Sequence, residues 1–273
     1  MIMKKGLVRL SLGVALLTLL VCATATAQDF QKSYTIPAGG RVNITNVSGD
    51  VIVNGYDGDA IKVTGTKEGR DRDQVEVDDR SDASQIDIRV RYPHNCNCDA
   101  SIKFEVQVPR SIKYDFDKFS SASGNIEVNS VTGRIIGSSA SGDVNMKNVN
   151  GEIHAKSASG EVTVKEAVGT VTADSASGNV EVEINQLVGT ESMKFSSASG
   201  DVSVKLPSNL DAFVDMSTVS GDVKTDFPLE VNERDHGAGR WARGQVGSGS
   251  GSRTLRISSA SGNVSLKTTG SAK

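Results

Sequence analysis

The sequence predicts an all-β fold: a single-stranded parallel β-helix, or β-solenoid, with about 18–22 residues per turn. Two observations carry that prediction. Glycines recur nine residues apart at Gly124, Gly133, Gly142, Gly151, Gly160, Gly169 and Gly178, and every second one closes a Ser-Ala-Ser-Gly phrase. One full period is therefore a pair of nine-residue half-turns. Within each nine, apolar residues take the third, fifth and eighth positions: Ile126, Val128 and Val131, then Val144, Met146 and Val149, then Val162, Val164 and Ala167.

The third and fifth positions are two apart, the spacing at which a strand turns alternate side chains to one interior. The eighth returns to that interior after a corner, where glycine is expected to supply positive φ. Too little chain separates successive strands for helical crossovers, so turns must stack directly. A lone turn buries too few side chains to offset the ordering of its own backbone. Neighbours above and below must cover it.

Stacking would align equivalent residues about 4.8 Å apart. Ala122, Ala140, Ala158, Ala176 and Ala198 are expected to line the inside of a tight corner, with Ser123, Ser141, Ser159, Ser177 and Ser199 forming a hydroxyl ladder. The residues after the corner glycines, Asn125, Asp143, Glu161, Asn179, Asp201 and Asp222, form a column of oxygen donors. Beyond Gly178 the phrase returns at wider and less even intervals, closing at Gly200, Gly221 and Gly262.

An apolar residue plus proline precedes an extended run and then Ser-Gly at Ile36-Pro37, Val108-Pro109 and Leu206-Pro207, and Phe227-Pro228 begins an interrupted fourth copy. Residues 28–119 are thus a less regular β region continuous with the repeats of 120–273, with strands expected at Val75–Val77, Ile86–Val90 and Ile102–Val108. Phe104, Tyr114, Phe116 and Phe119 crowd before the regular array and read as end caps. Residues 67–82 are a charged excursion, 94–100 a cysteine loop, and 232–253 a loop rich in Gly, Ser and Arg.

Residues 1–27 read as a removable export leader. Lys4, Lys5 and Arg9 precede an apolar run, Leu10 to Val21, and Ala25-Thr26-Ala27 is a cleavage site. That run is too short to span a bilayer, which needs about 20 residues. Removing the leader's three cations from 30 leaves 27 against 33 acids, a net charge of −6. Such a balance does not supply the basic field a phosphate backbone demands, so nucleic acid is not an expected partner.

In an oxidising compartment Cys96 and Cys98 form a local disulfide candidate. The rival is a metal site from His94, Cys96, Cys98 and Asp99, though four ligands packed so closely along the chain cannot readily surround one ion. Asp143, Glu161 and Asp201 are candidate calcium ligands in the post-glycine column. The double-glycine nonapeptide of calcium-binding β-rolls is missing, and Asn and Asp also hold turns unaided. Trp241, between Arg240 and Arg243, either grips a sugar ring or anionic polymer or folds back onto the last coil.

The stretch from Asn46 to Asp57, Val108-Pro109 before the first Ser-Ala-Ser-Gly phrase, and the Gly-Ser-rich break before Leu255 to Leu266 resemble the bacterial putative adhesin family of β-strand-repeat proteins, a domain of unknown function. The resemblance implies a parallel β-helical fold and an envelope or extracellular setting, and it brings no catalytic residues with it.

The expected function is an exported, non-catalytic structural or interaction module in the periplasm, at the cell surface or outside the cell. It would meet an envelope polymer or protein, or further copies of itself through sheet edges. No catalytic residue and no cofactor is assigned. The alternatives are a polysaccharide-active enzyme, which needs paired carboxylates and aromatic sugar platforms, and a calcium-binding β-roll-like module.

Overall fold

Alternation of apolar and polar residues along short runs yields strands throughout, and the computed structural model describes residues 29–232, 239–249 and 253–270. The proposed leader and its cleavage site lie outside the described residues. The described chain is all-β, with a single 3-10 turn at Arg72–Gln74, and its strands belong to one sheet. Strands arise at Glu76–Asp79, Gln85–Arg91 and Ser101–Pro109, close to the expected runs.

Two parallel ladders make up most of the sheet. One runs through Ser101–Pro109, Val51–Tyr56, Ile126–Asn129, Val144–Lys147, Val162–Ser175, Val180–Gln186, Val202–Leu206, Val264–Thr268 and Val223–Thr225. The other runs through Gln85–Arg91, Arg41–Thr45, Tyr114–Ser121, Thr132–Ser139, Asn150–Ser157, the second half of Val162–Ser175, Met193–Ser197, Thr254–Ser261 and Ala212–Ser220. Ile126 registers with Val144, Val144 with Val162, and Val162 with Val180, a constant step of one full sequence period. All four are buried, as are Met146, Val149, Val164 and Ala167.

Coil order departs from chain order at both ends. The last coil, Thr254–Thr268, lies between the coils of Met193–Leu206 and Ala212–Thr225, which are consecutive in sequence. Likewise the Arg41–Tyr56 coil lies between those of Gln85–Pro109 and Tyr114–Asn129. The cause at the C-terminal end is the antiparallel strand Arg240–Val246, which occupies the outer edge of Ala212–Ser220 and leaves only its inner edge for the final coil. Residues 232–253 are thus no simple loop, since Arg240–Val246 crosses them as a strand paired also with Glu230–Asn232.

This order removes the capping role expected of the aromatics. Phe104, Tyr114, Phe116 and Phe119 are buried inside the stack, because further strands lie beyond them. A bulge sets Phe119 opposite Gly137 and Phe116 opposite Ile135, so a bulky ring faces the smallest residue. Antiparallel strands cover the ends instead. Ile61–Glu68 lies on Ser101–Pro109 with Phe30–Tyr34 beyond it, and Glu76–Asp79 lies on Gln85–Arg91.

The corner glycines serve proximity more than torsion. A Cβ on Gly124, Gly142, Gly160, Gly178 or Gly200 would stand 2.1–2.3 Å from the carbonyl oxygen of the corner glycine one coil before it. None of these five has positive φ; that is found at the opposite corner, at Gly133, Gly151 and Gly169. The Ala122 column is exposed, not interior, because the corner turns its second residue outward.

We expect Gly160→Ala to destabilise the protein by about 1–3 kcal/mol through a methyl forced onto the Gly142 carbonyl. Equilibrium denaturation measures this, and a change near zero would mean that the coils are not in contact at this corner.

Candidate functional site

The recurring serines are the first candidates for a surface feature, as a hydroxyl ladder. The second serines of the phrase, Ser123, Ser141, Ser159, Ser177 and Ser199, are exposed but, among the described residues, do not bond to one another, so the ladder does not form. The buried serine is the first of each phrase. Ser139 Oγ donates to the Gly124 carbonyl at 2.7 Å, and Ser157, Ser175 and Ser197 Oγ to those of Gly142, Gly160 and Gly178 at 2.8 Å. Three of them also accept the N–H of their own glycine: Ser139 from Gly142, Ser157 from Gly160 and Ser175 from Gly178, each at 2.9 Å. A hydroxyl engaged on both counts is a structural fastener, not a nucleophile.

Asn46 replaces this serine in the Arg41–Tyr56 coil. Its longer amide reaches the Ile102 carbonyl at 2.7 Å, across to a strand that lacks the phrase, and also caps the Gly49 carbonyl. Sequence reasoning missed the first serines. Their parity with Ile135 and Gly137, the inward positions of the same strand, was the signal that could have found them.

Most of the post-glycine column is likewise committed to the backbone. The side-chain oxygens of Asp50, Asn125, Asp143, Asn179, Asp201 and Asn263 each accept the main-chain N–H of the equivalent residue one coil on, at 2.7–3.0 Å. Asp143 and Glu161 are neighbours in this column, whereas Asp201 stands beyond Asn179. Among the described residues no three His, Cys, Asp or Glu side chains gather as an ion would require.

Nor does the cysteine loop gather its four candidates. The structure joins the Cys96 and Cys98 sulfurs, with Cα atoms 5.1 Å apart. Asp99 turns instead to Arg70, whose Nε donates at 2.8 Å, while the Asp99 N–H donates to Asp71. His94 is exposed.

Trp241 lies half-buried on Arg240–Val246, opposite Ser217. Its flanking cations point to partners of their own: Arg243 to Asp215 at 3.0 Å, and Arg240 to Asp222 and the Gly221 carbonyl. Phe213, 40 % exposed, lies two residues from Asp215 on the same strand. The C-terminal end of this face therefore carries aromatic surface between paired charges, whereas the central coils carry none.

Those central faces are polar and registered. Glu127, Asn145, Thr163 and Glu181 align on one ladder, and His154 with Thr172 and Lys156 with Asp174 on the other. Their charges pair across coils, Lys165 with Glu181 at 3.2 Å and Lys194 with Asp174 at 3.1 Å, and exposed pairs of this kind contribute little stability.

At the N-terminal end Asp79 ties two edge strands together. It accepts from Lys32 and from the Tyr34 hydroxyl at 3.0 Å, both on Phe30–Tyr34, and from Ser81. Partial burial pushes the Asp79 carboxyl up, but these hydrogen bonds outweigh it and hold the group down at about 2. Burial, and then the bond to Asp79, raise Tyr34 above the usual phenol range.

This set defines a class: an all-β protein of registered parallel repeats whose buried serines and most of whose post-glycine side chains are engaged by the backbone. The chain belongs to the Toastrack DUF4097 family, whose model matches residues 112–267. It is similar to a putative cell adhesion protein from Clostridium sporogenes, at 10% identity over 88% of this chain and 99% of that one, with a TM-score of 0.37. Crystal structures of putative adhesins from Bacteroides fragilis and Parabacteroides distasonis are similar at 10% and 13% identity, each over 88% of this chain and 96% of that one, with TM-scores of 0.34 and 0.36. No curated protein matches. No helix among the described residues is long and apolar enough to cross a membrane.

Asp79 sets a pH dependence. Its folded value lies below the ordinary carboxylate value of about 4, so its contribution is whole above pH 4 and is lost as pH falls toward 2. Melts between pH 2 and 5 are expected to show Asp79→Asn losing less stability with acid than the parent. Parallel curves would remove Asp79 from the N-terminal clamp.

Proposed function

We propose that this chain is an exported, non-catalytic β-solenoid that acts as an adhesin-like interaction module of the cell envelope or surface. The solenoid reading is supported by parallel ladders that advance one sequence period per coil in the central repeats, and its continuity with residues 28–119 by the parallel pairing of Arg41–Thr45 with Tyr114–Ser121 and of Val51–Tyr56 with Ile126–Asn129. Export is supported by the leader pattern in residues 1–27.

One observation carries the functional reading: the outward positions repeat in register, coil after coil, as polar side chains. Equivalent groups then recur about every 4.8 Å, a spacing suited to many weak contacts with a repetitive or extended partner. An envelope polymer or a surface protein is such a partner. The strongest single contact is the end of the face bearing Phe213 and Trp241, where exposed aromatic surface lies beside Arg243. A disulfide between Cys96 and Cys98 accords with the oxidising setting.

Residues 28–273, immobilised, are expected to retain isolated bacterial cell-wall polymer, and Trp241→Ala to weaken that retention about 2- to 10-fold, the loss of one aromatic contact. A parent chain that retains neither cell-wall polymer nor any envelope protein would contradict the reading. An unchanged Trp241→Ala would move the contact to the central faces.

A further inference from the structure

Cys96 and Cys98 sit in the loop between Gln85–Arg91 and Ser101–Pro109, at the N-terminal end of the stack. A bridge between residues two apart can tie the fold together only if that loop needs tying. It does not. Arg70 and Asp71 on the neighbouring loop already hold Asp99: the Asp71 N–H donates to the Asp99 carbonyl at 3.0 Å, the Asp99 N–H donates to the Asp71 carboxylate at 2.9 Å, and Arg70 donates at 2.8 Å. The Tyr92 hydroxyl closes the loop's base by donating to the Ala100 carbonyl at 3.0 Å. Both strands that flank the loop are paired along their length, independently of the sulfurs.

Thermodynamic linkage turns this into chemistry. A disulfide resists reduction to the extent that folding and the bridge stabilise each other. A bridge that adds no tie between elements receives no such help from the fold, and its equilibrium with thiols stays close to that of a short peptide ring. Access is available as well. Cys96 and Cys98 are partly exposed, and their neighbours His94, Asn95, Asn97 and Asp99 are all exposed. The Gln74 amide oxygen approaches the sulfurs, 3.8 Å from each.

We infer that Cys96–Cys98 is a thiol–disulfide exchange site for external thiols, not a structural staple. An incoming thiolate gives its electron pair to one sulfur of the pair. The Cys96–Cys98 bond breaks, and its electrons leave on the other sulfur as a thiolate. That freed thiolate can attack the mixed disulfide, restoring the bridge and releasing the incoming thiol unchanged. A second external thiol can instead complete the reduction, leaving the two external sulfurs joined. Between these steps the chain is covalently tethered to its partner. The inference goes beyond the interaction-module reading and stands without it.

Glutathione serves as the probe. The protein is equilibrated in buffers of stepped reduced-to-oxidised glutathione ratio, quenched with an alkylating agent and read by mass. The pair is expected to be reduced at least ~100-fold more readily than the structural disulfide of a stable secreted domain treated alongside, and Cys96→Ser and Cys98→Ser are each expected to accumulate a glutathione mixed disulfide. Reduction is expected to leave the thermal midpoint within about 2 °C, since no element loses a tie. A bridge as resistant as the control, a pair that oxidised glutathione cannot close, or a large fall in melting temperature on reduction would each overturn the assignment.

Discussion

The structure depends on one close approach. At each Ser-Ala-Ser-Gly corner the carbonyl oxygen of a glycine occupies the volume that a side chain on the next coil's glycine would need, and the buried serine hydroxyl of that next coil donates to it. Neither half suffices alone. Glycine without the serine would leave a buried carbonyl short of a partner, and serine without the glycine would be held too far away to reach it. Together they fix the spacing between coils at the backbone limit. Inward valines and isoleucines then meet directly above one another, and between Phe119 and Phe195 the thin core fills without aromatic side chains.

Much of this was legible in the sequence because period and parity are local. The nine-residue glycine spacing set the step, and Val144, Met146, Val162 and Val164 were correctly placed inside. Coil order was not legible. Val202, Val223 and Val264 follow near-identical Ser-Gly phrases, so each could pair with either of the others, and only the antiparallel Arg240–Val246 strand decides among them. The aromatic cluster was misplaced for the same reason, since its outer neighbour, Arg41–Tyr56, comes much earlier in the chain. Alternation could have separated the buried first serine from the exposed second, but the turn-forming habit of serine and glycine pointed to the corner instead.

The ends differ from the middle in ways that bear on interaction. Open sheet edges invite pairing with other chains, and antiparallel strands finish the stack on both sides. The N-terminal strands are clamped through Asp79, and the C-terminal ones through Arg243 and Asp215. The middle coils offer regularity, a repeating polar surface of paired charge. The features that break the pattern gather towards the ends: the cysteine loop at one, the Phe213 and Trp241 surface at the other. Regular coils thus separate two irregular and chemically distinct ends.

Native-state hydrogen exchange tests the stacked-coil account most directly. The amides of Val144, Val162 and Val180 each donate to a carbonyl on the following coil, at 2.9 Å. If neighbouring coils hold one another, these three exchange only through the same global opening, with equal free energies that match denaturant unfolding. Exchange at three unequal, sub-global free energies would mean that each coil stands by itself, and the account would be wrong.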